Sequence, residues 1–129
     1  MKVLLDTHAL LWALRAPANL SPIARQIVDD PINELFVSAI TPWEIATKHR
    51  IGKLPEAAPL LAAYAHHLEK LGAIELSLST NHGLEAGRLV WENKDPFDRA
   101  LAAQSMIENL PIITRDSAFA TLPGIHTIW

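Results

Sequence analysis

A chain of 129 residues with 50% hydrophobic composition has enough apolar side chains for a continuous core and suits a single domain over residues 1–129, which excludes a disordered protein. It contains no cysteine, so a disulfide framework and a thiolate zinc site are both excluded, and nothing points to an oxidising compartment. A formal charge of −3 excludes a globally basic nucleic-acid scaffold, and no uninterrupted run approaches the about 18 apolar residues of a membrane helix.

Lys2 to Leu5 reads as a short buried strand that ends at Asp6. An aspartate at the sixth position breaks the apolar run and no small-residue cleavage site follows, so a signal peptide is not expected, and a soluble cytoplasmic protein is. A helix over Ala9 to Leu14 ends near Pro17, and a second starts at Ser21-Pro22, where a serine cap precedes proline at the first helical position. Glu34 to Ser38 is the second strand. Thr41-Pro42-Trp43-Glu44 opens the next helix with a capping-box pattern, and Gly52 and Pro55 close it. Ala57 to Leu71 reads as one longer helix stopped by Gly72, and the alternation of Ile74, Leu76 and Leu78 suits a strand at the sheet edge. Asn81 to Trp91 is a short helix weakened by Gly83 and Gly87, whereas Pro96 to Glu108 is a strong one, packed deep through Ala100-Leu101-Ala102-Ala103. Ile112 to Thr114 and His126 to Ile128 complete the strands. Strand and helix patterns alternate throughout, which predicts a three-layer α/β/α fold around a mostly parallel sheet of four to five strands.

Four acids fall where the carboxyl edge of such a sheet gathers side chains: Asp6 after the first strand, Glu44 and Asp98 at helix starts, and Asp116 after the strand at Ile112. Four carboxylates brought together repel one another unless a hard divalent cation neutralises them, so the spacing predicts a Mg²⁺ or Mn²⁺ site. Each acid also has a local structural reading. Glu44 and Asp98 stand three residues beyond Thr41 and Asp95, where a capping box uses an acid, and Asp116 suits a cap for the turn at Ser117. Asp6 has no such cap pattern. Thr7 and Thr114 each neighbour an acid and are candidates to hydrogen-bond it. With four of the fourteen acids in one cluster, ten remain against eleven Lys and Arg, so any grip on a polyanion rests on local groups such as Lys48, His49, Arg50 and Lys53. Those four also fit the solvated end of a helix.

The six histidines are scattered and make no metal set, and zinc is not expected. Trp12, Trp43, Trp91 and Trp129 fit core or interface positions better than base stacking; Trp12 and Trp43 lie near the acidic edge, where they suit an apolar groove for a partner peptide. Nucleotide P-loop, dinucleotide and serine nucleophile-elbow patterns are all absent.

The blocks Leu5-Asp6-Thr7-His8-Ala9-Leu10-Leu11-Trp12, Ser38 to Ala46 around Thr41-Pro42-Trp43-Glu44, Asp95-Pro96-Phe97-Asp98-Arg99 through Gln104, and Ile113-Thr114-Arg115-Asp116-Ser117-Ala118-Phe119 resemble the four signature blocks of PIN-domain proteins, most of all the VapC-type toxins of bacterial toxin–antitoxin pairs. The likeness runs over essentially the whole chain in the right order. It implies a Mg²⁺- or Mn²⁺-dependent endoribonuclease acting on tRNA or another structured RNA, held in check by a cognate antitoxin, with a homodimer expected. On this resemblance Asp6, Glu44, Asp98 and Asp116 match the catalytic, metal-holding quartet, Thr114 matches the hydroxyl beside the fourth acid, and Asp95 marks a subgroup without being clearly a ligand. Two other functions compete: a PIN-fold nuclease for ribosomal RNA maturation or DNA, and a catalytically silent binding module of the same fold.

Overall fold

The computed structural model describes every residue from Met1 to Trp129. Its centre is β1 (Lys2–Leu5), a strand whose Val3, Leu4 and Leu5 are all fully buried. Alternate side chains of a strand point to opposite faces, and here they divide two cores. Val3 and Leu5 join Leu10, Ala24, Val37 and Ile45 on one face, while Leu4 joins Leu101, Ile112 and Phe119 on the other. Burial on both faces is what an all-parallel sheet requires, and it explains why β1 reads as an unbroken apolar run.

All five strands pair in parallel, in the order β3-β2-β1-β4-β5, with β2 (Glu34–Ser38), β3 (Ile74–Leu76), β4 (Ile112–Ile113) and β5 (Thr127–Ile128). The chain builds outward from β1 through β2 to β3, then returns to the other side of β1 for β4 and β5. That reversal makes the gap between β1 and β4 a topological switch point, where the loops at the carboxyl ends diverge and leave a crevice.

The helices are α1 (Thr7–Arg15), α2 (Pro22–Asp29), α3 (Thr41–Arg50), α4 (Ala58–Ala62), α5 (Tyr64–Leu71), α6 (Thr80–Arg88) and α7 (Pro96–Glu108). They cover both faces, so the three-layer α/β/α expectation holds, with five strands and no antiparallel pair. The Ser21 cap forms as read, its hydroxyl accepting from Ala24 N at 3.1 Å, and α7 has the bounds its sequence predicts. No helix is long and apolar enough to cross a membrane.

Three expectations are corrected. The capping box at Thr41 does not form: the helix is capped at Ile40 without a side-chain bond, and the Thr41 hydroxyl is buried with no partner. The single helix over 57–71 is broken, because Ala63 at φ −143° and ψ 43° leaves helical geometry between α4 and α5. The third concerns bounds only: the short helix expected over 81–91 forms as α6, Thr80–Arg88, and opens on a genuine capping box in which Ser79 Oγ accepts from His82 N and His82 Nδ1 accepts from Ser79 N. His82 is 2% exposed and its Nε2 meets Glu108 at 2.8 Å, which ties α6 to α7 and gives this histidine a structural role.

The segment feeding α7 is pinned by Arg99. Its guanidinium donates to the carbonyls of Ala86 (2.8 Å), Leu89 (2.5 Å), Asn93 (2.9 Å) and Trp91 (3.1 Å), and so fixes the loop that carries Asn93 and Asp95. Removing a charged donor from several half-buried carbonyls leaves them unpaired. Arg99→Met is expected to lower stability by about 2–3 kcal/mol in denaturant melts and to speed amide exchange over 86–93 ahead of the strands. Unchanged exchange in that loop would contradict the pinning role.

Candidate functional site at the sheet's carboxyl edge

Asp6 follows β1 directly and caps α1, its Oδ1 accepting from Ala9 N at 2.7 Å. It is 6% exposed. Burial is the main influence on its acidity and pushes its pKa upward; the Thr114 hydroxyl, the Ala9 N–H and His8 oppose that shift, and Glu44 adds to it. Across the switch point, Thr114 Oγ1 follows β4 and accepts from Asp116 N at 2.9 Å. Asp116 in turn caps a short 3₁₀ turn over Ser117–Thr121, accepting from Ala118 N at 2.9 Å. Thr114 is 3% exposed and its hydroxyl serves both acids, lowering the pKa of Asp6 and accepting from the Asp116 N–H.

Glu44 lies on the first turn of α3 and is 4% exposed. Both of its oxygens are engaged. Oε1 accepts from Thr7 Oγ1 at 2.5 Å and Oε2 meets Lys48 Nζ at 2.5 Å. The capping-box reading of Glu44 therefore fails, and its partners come instead from α1 and from the next turn of its own helix.

Asp95 is the cap of α7, accepting from Phe97 N at 2.8 Å and Asp98 N at 3.2 Å. Asp98 does not reach back to it. Its Oδ2 instead accepts from Asn93 Nδ2 at 2.9 Å, which leaves Oδ1 without a protein partner. The Asp98 pKa is raised to about 6, first by burial and then by the charges of Asp95, Glu44 and Asp116, with the Asn93 bond pulling the other way.

One cavity of about 240 Å³ is lined by Asp6, Glu44, Asp98 and Asp116 together, with Asp95 and Lys48 at its wall. All four predicted acids thus meet in one place. Two residues that the sequence reading did not assign to the site join them: Asn93, which no local pattern announces, and Lys48, which spacing does announce, standing four residues after Glu44 on a helix. His8 is exposed on the same wall. Trp12 lines an adjoining hollow with Asp6, Arg115 and Asp116 and packs on Trp129 at 5.6 Å, whereas Trp43 is 63% exposed and meets Phe97 edge-on at 5.3 Å. The two tryptophans therefore do not share that hollow.

The carboxylates are not drawn into a closed cage: no three His, Asp or Glu side chains are grouped tightly enough to hold an ion. Their chemistry nonetheless suits one. Every donor is oxygen, the pocket is acid-rich, and burial, with a smaller contribution from neighbouring carboxylates, raises the pKa of Asp6 and Asp98, a penalty on their charged forms that a divalent charge offsets. An open set also fits Mg²⁺, which retains water and takes only one or two carboxylates rather than an all-protein cage.

An acid whose pKa is raised on folding favours the folded state below its unfolded value of 3.8 and loses that contribution as pH climbs through about 6. In metal-free protein, Asp98→Asn should therefore raise stability at pH 7 and leave it little changed at pH 4. Asp98 is half-buried, so solvent screening limits the gain to about 1 kcal/mol. Melts at the two pH values check the sign; a variant less stable than wild type at pH 7 would contradict it.

The chain matches the family model for the PIN domain over residues 3–125. A 58-residue stretch is 36% identical to Ribonuclease VapC16 of Mycobacterium tuberculosis, covering 45% of this chain and 41% of that protein. Among solved structures, DNA-bound VapBC from Salmonella typhimurium aligns with a TM-score of 0.70 at 18% identity over 99% of this chain and 97% of that one. VapBC2 from Rickettsia felis bound to a promoter DNA fragment gives 0.67 at 14% identity, with 99% and 98% covered. At such identities these structures speak for the fold, and the family match, which spans nearly the whole sequence, establishes the rest: this chain belongs to the PIN domain family.

Proposed function

We propose that this PIN-domain chain is a VapC-type toxin, a divalent-metal-dependent endoribonuclease whose 129 residues act as one catalytic unit. The observation that carries the reading is the convergence of Asp6, Glu44, Asp98 and Asp116 on one cavity at the switch point of the sheet. The name of the partial relative from Mycobacterium tuberculosis and the toxin–antitoxin complexes with the same fold support it. A cytoplasmic location, RNA such as tRNA as substrate, a homodimer and a cognate antitoxin belong to the same proposal.

Asp6 and Asp116 would hold the ion, Mg²⁺ or Mn²⁺, since they flank the switch point from β1 and β4. Asp98 stands beside them with its Oδ1 free of any protein partner. Glu44 lines the same cavity with both oxygens already hydrogen-bonded. When bound, such an ion supplies the positive charge that polarises a phosphodiester and acidifies water. The protein's own contribution is orientation and proton transfer. Thr114 and the caps of α1 and the 3₁₀ turn fix Asp6 and Asp116, and Asn93 fixes Asp98. The free Oδ1 makes Asp98 the carboxylate that would accept the proton of the attacking water.

Asp6→Asn and Asp116→Asn should each reduce RNA cleavage by about 10²-fold or more while leaving the fold intact. Cleavage should stop in EDTA, return with Mg²⁺ or Mn²⁺, and leave 5′-phosphate and 3′-hydroxyl ends, because water and not the 2′-hydroxyl attacks. Cyclic 2′,3′-phosphate ends would overturn the mechanism. A preference for DNA would favour the competing nuclease reading, and no cleavage of either polymer would favour a silent module.

A further inference from the structure

Lys48 is the one Lys or Arg lining the acidic cavity. Its partner Glu44 has a side chain 6% exposed, while that of Lys48 is 31% exposed, so the ammonium sits at the border between the buried carboxylate and the open space of the pocket. An exposed Glu–Lys pair at this helical spacing is common and contributes only about 0.3–0.5 kcal/mol. This pair differs in direction. Thr7, from α1, grips the opposite oxygen of Glu44, so the carboxylate is clamped from two helices and cannot swing out to follow a solvated lysine. The remaining members of the basic run turn away, with Arg50 and Lys53 exposed outside the cavity lining.

The substrate of the reaction proposed above is a polyanion, and the cavity it must approach is lined by five acids. A single divalent ion leaves that wall negative. A fixed cation beside the ion is what a phosphate entering the pocket lacks most, and ionised donors to phosphate make the strongest hydrogen bonds. We propose that Lys48 contacts a phosphate of the RNA substrate, and that Glu44, clamped by Thr7, is a positioning carboxylate that aims the Lys48 ammonium into the cavity rather than a ligand of the metal. The assignment rests on the ribonuclease reading. It follows from the two hydrogen-bonded oxygens of Glu44: as a ligand it would have to share an oxygen with the Thr7 hydroxyl or with the like-charged Lys48 ammonium, whereas as a positioner it needs no change.

The test compares wild type, Lys48→Met, Lys48→Arg and Glu44→Gln, each checked for an unaltered melt. Binding of a short fluorescein-labelled single-stranded RNA of mixed sequence is followed across salt concentrations in Ca²⁺, which fills an oxygen site without the strict octahedral demand of Mg²⁺. Mn²⁺ binding is measured separately by calorimetry without RNA. Lys48→Met is expected to weaken RNA binding about tenfold and to flatten the dependence of log affinity on log salt by about 0.7, the loss of one phosphate contact on a single strand. Lys48→Arg should restore the slope. Glu44→Gln should flatten the slope as well, while Mn²⁺ affinity stays at the wild-type level in that variant and is equal or tighter in Lys48→Met. A Lys48→Met protein with wild-type affinity and slope overturns the phosphate contact. Loss of Mn²⁺ binding in Glu44→Gln overturns the positioning role and returns Glu44 to the ligand set. Wild-type protein that binds no RNA overturns this assignment together with the ribonuclease reading, which distinguishes that failure from the other two.

Discussion

Strand β1 ends in a carboxylate that the fold will not let into water. Asp6 is fixed to the first turn of α1, buried to 6% exposure, and set across the switch point from Asp116. A carboxylate in such a place is costly unless hydrogen bonds and a nearby positive charge compensate, and the surrounding residues are arranged to supply them. The N-terminus of α1 offers an N–H and the favourable end of its dipole, Thr114 offers a hydroxyl, and Lys48 neutralises the neighbouring Glu44. The sheet order follows from the same requirement: only with β1 and β4 adjacent do Asp6 and the Thr114–Asp116 turn face one another.

Helix caps give the site its rigidity. Asp6, Asp95 and Asp116 each accept from a backbone N–H at the start of a helix or 3₁₀ turn, so the acids are held by the elements that form the fold and not by mobile loops. The capping role and the acid-cluster role, which compete as explanations of the sequence, coexist in the structure: an aspartate uses one oxygen for the cap and keeps the other for the pocket. Asp98 and Glu44 depart from that arrangement. They take side-chain partners, Asn93 and the Thr7–Lys48 pair, instead of backbone N–H groups.

Much of this fold is legible in the sequence. The unbroken apolar run at Lys2 to Leu5, the Ser21-Pro22 start and the Asp95-Pro96 start encode their structures locally, through burial on two faces and through caps that act within three residues. The meeting of four acids is read from their places after strands or at helix starts, which gather at the carboxyl edge of one parallel sheet. What the sequence misread depends on distant contacts. Thr41 and Glu44 match a capping box, yet Thr7 and Lys48 outcompete the backbone of Thr41 for that carboxylate. The break at Ala63 lies in a run of good helix formers, so no propensity marks it. The α6 capping box escaped notice because its third residue is His82, which imitates a glutamate only because Glu108 and the cap orient its ring.

On the proposed function, Asp6 and Asp116 hold a divalent cation at the β1–β4 switch point, with Asp98 beside it and the Glu44–Lys48 pair on the cavity wall. The most direct measurement is anomalous diffraction from crystals soaked in Mn²⁺. The account predicts an anomalous peak within coordination distance, about 2.0–2.3 Å, of carboxylate oxygens from Asp6 and Asp116, with Asp98 adjacent. A Mn²⁺ peak elsewhere on the molecule, or an acidic cavity holding only water at saturating Mn²⁺, would contradict it.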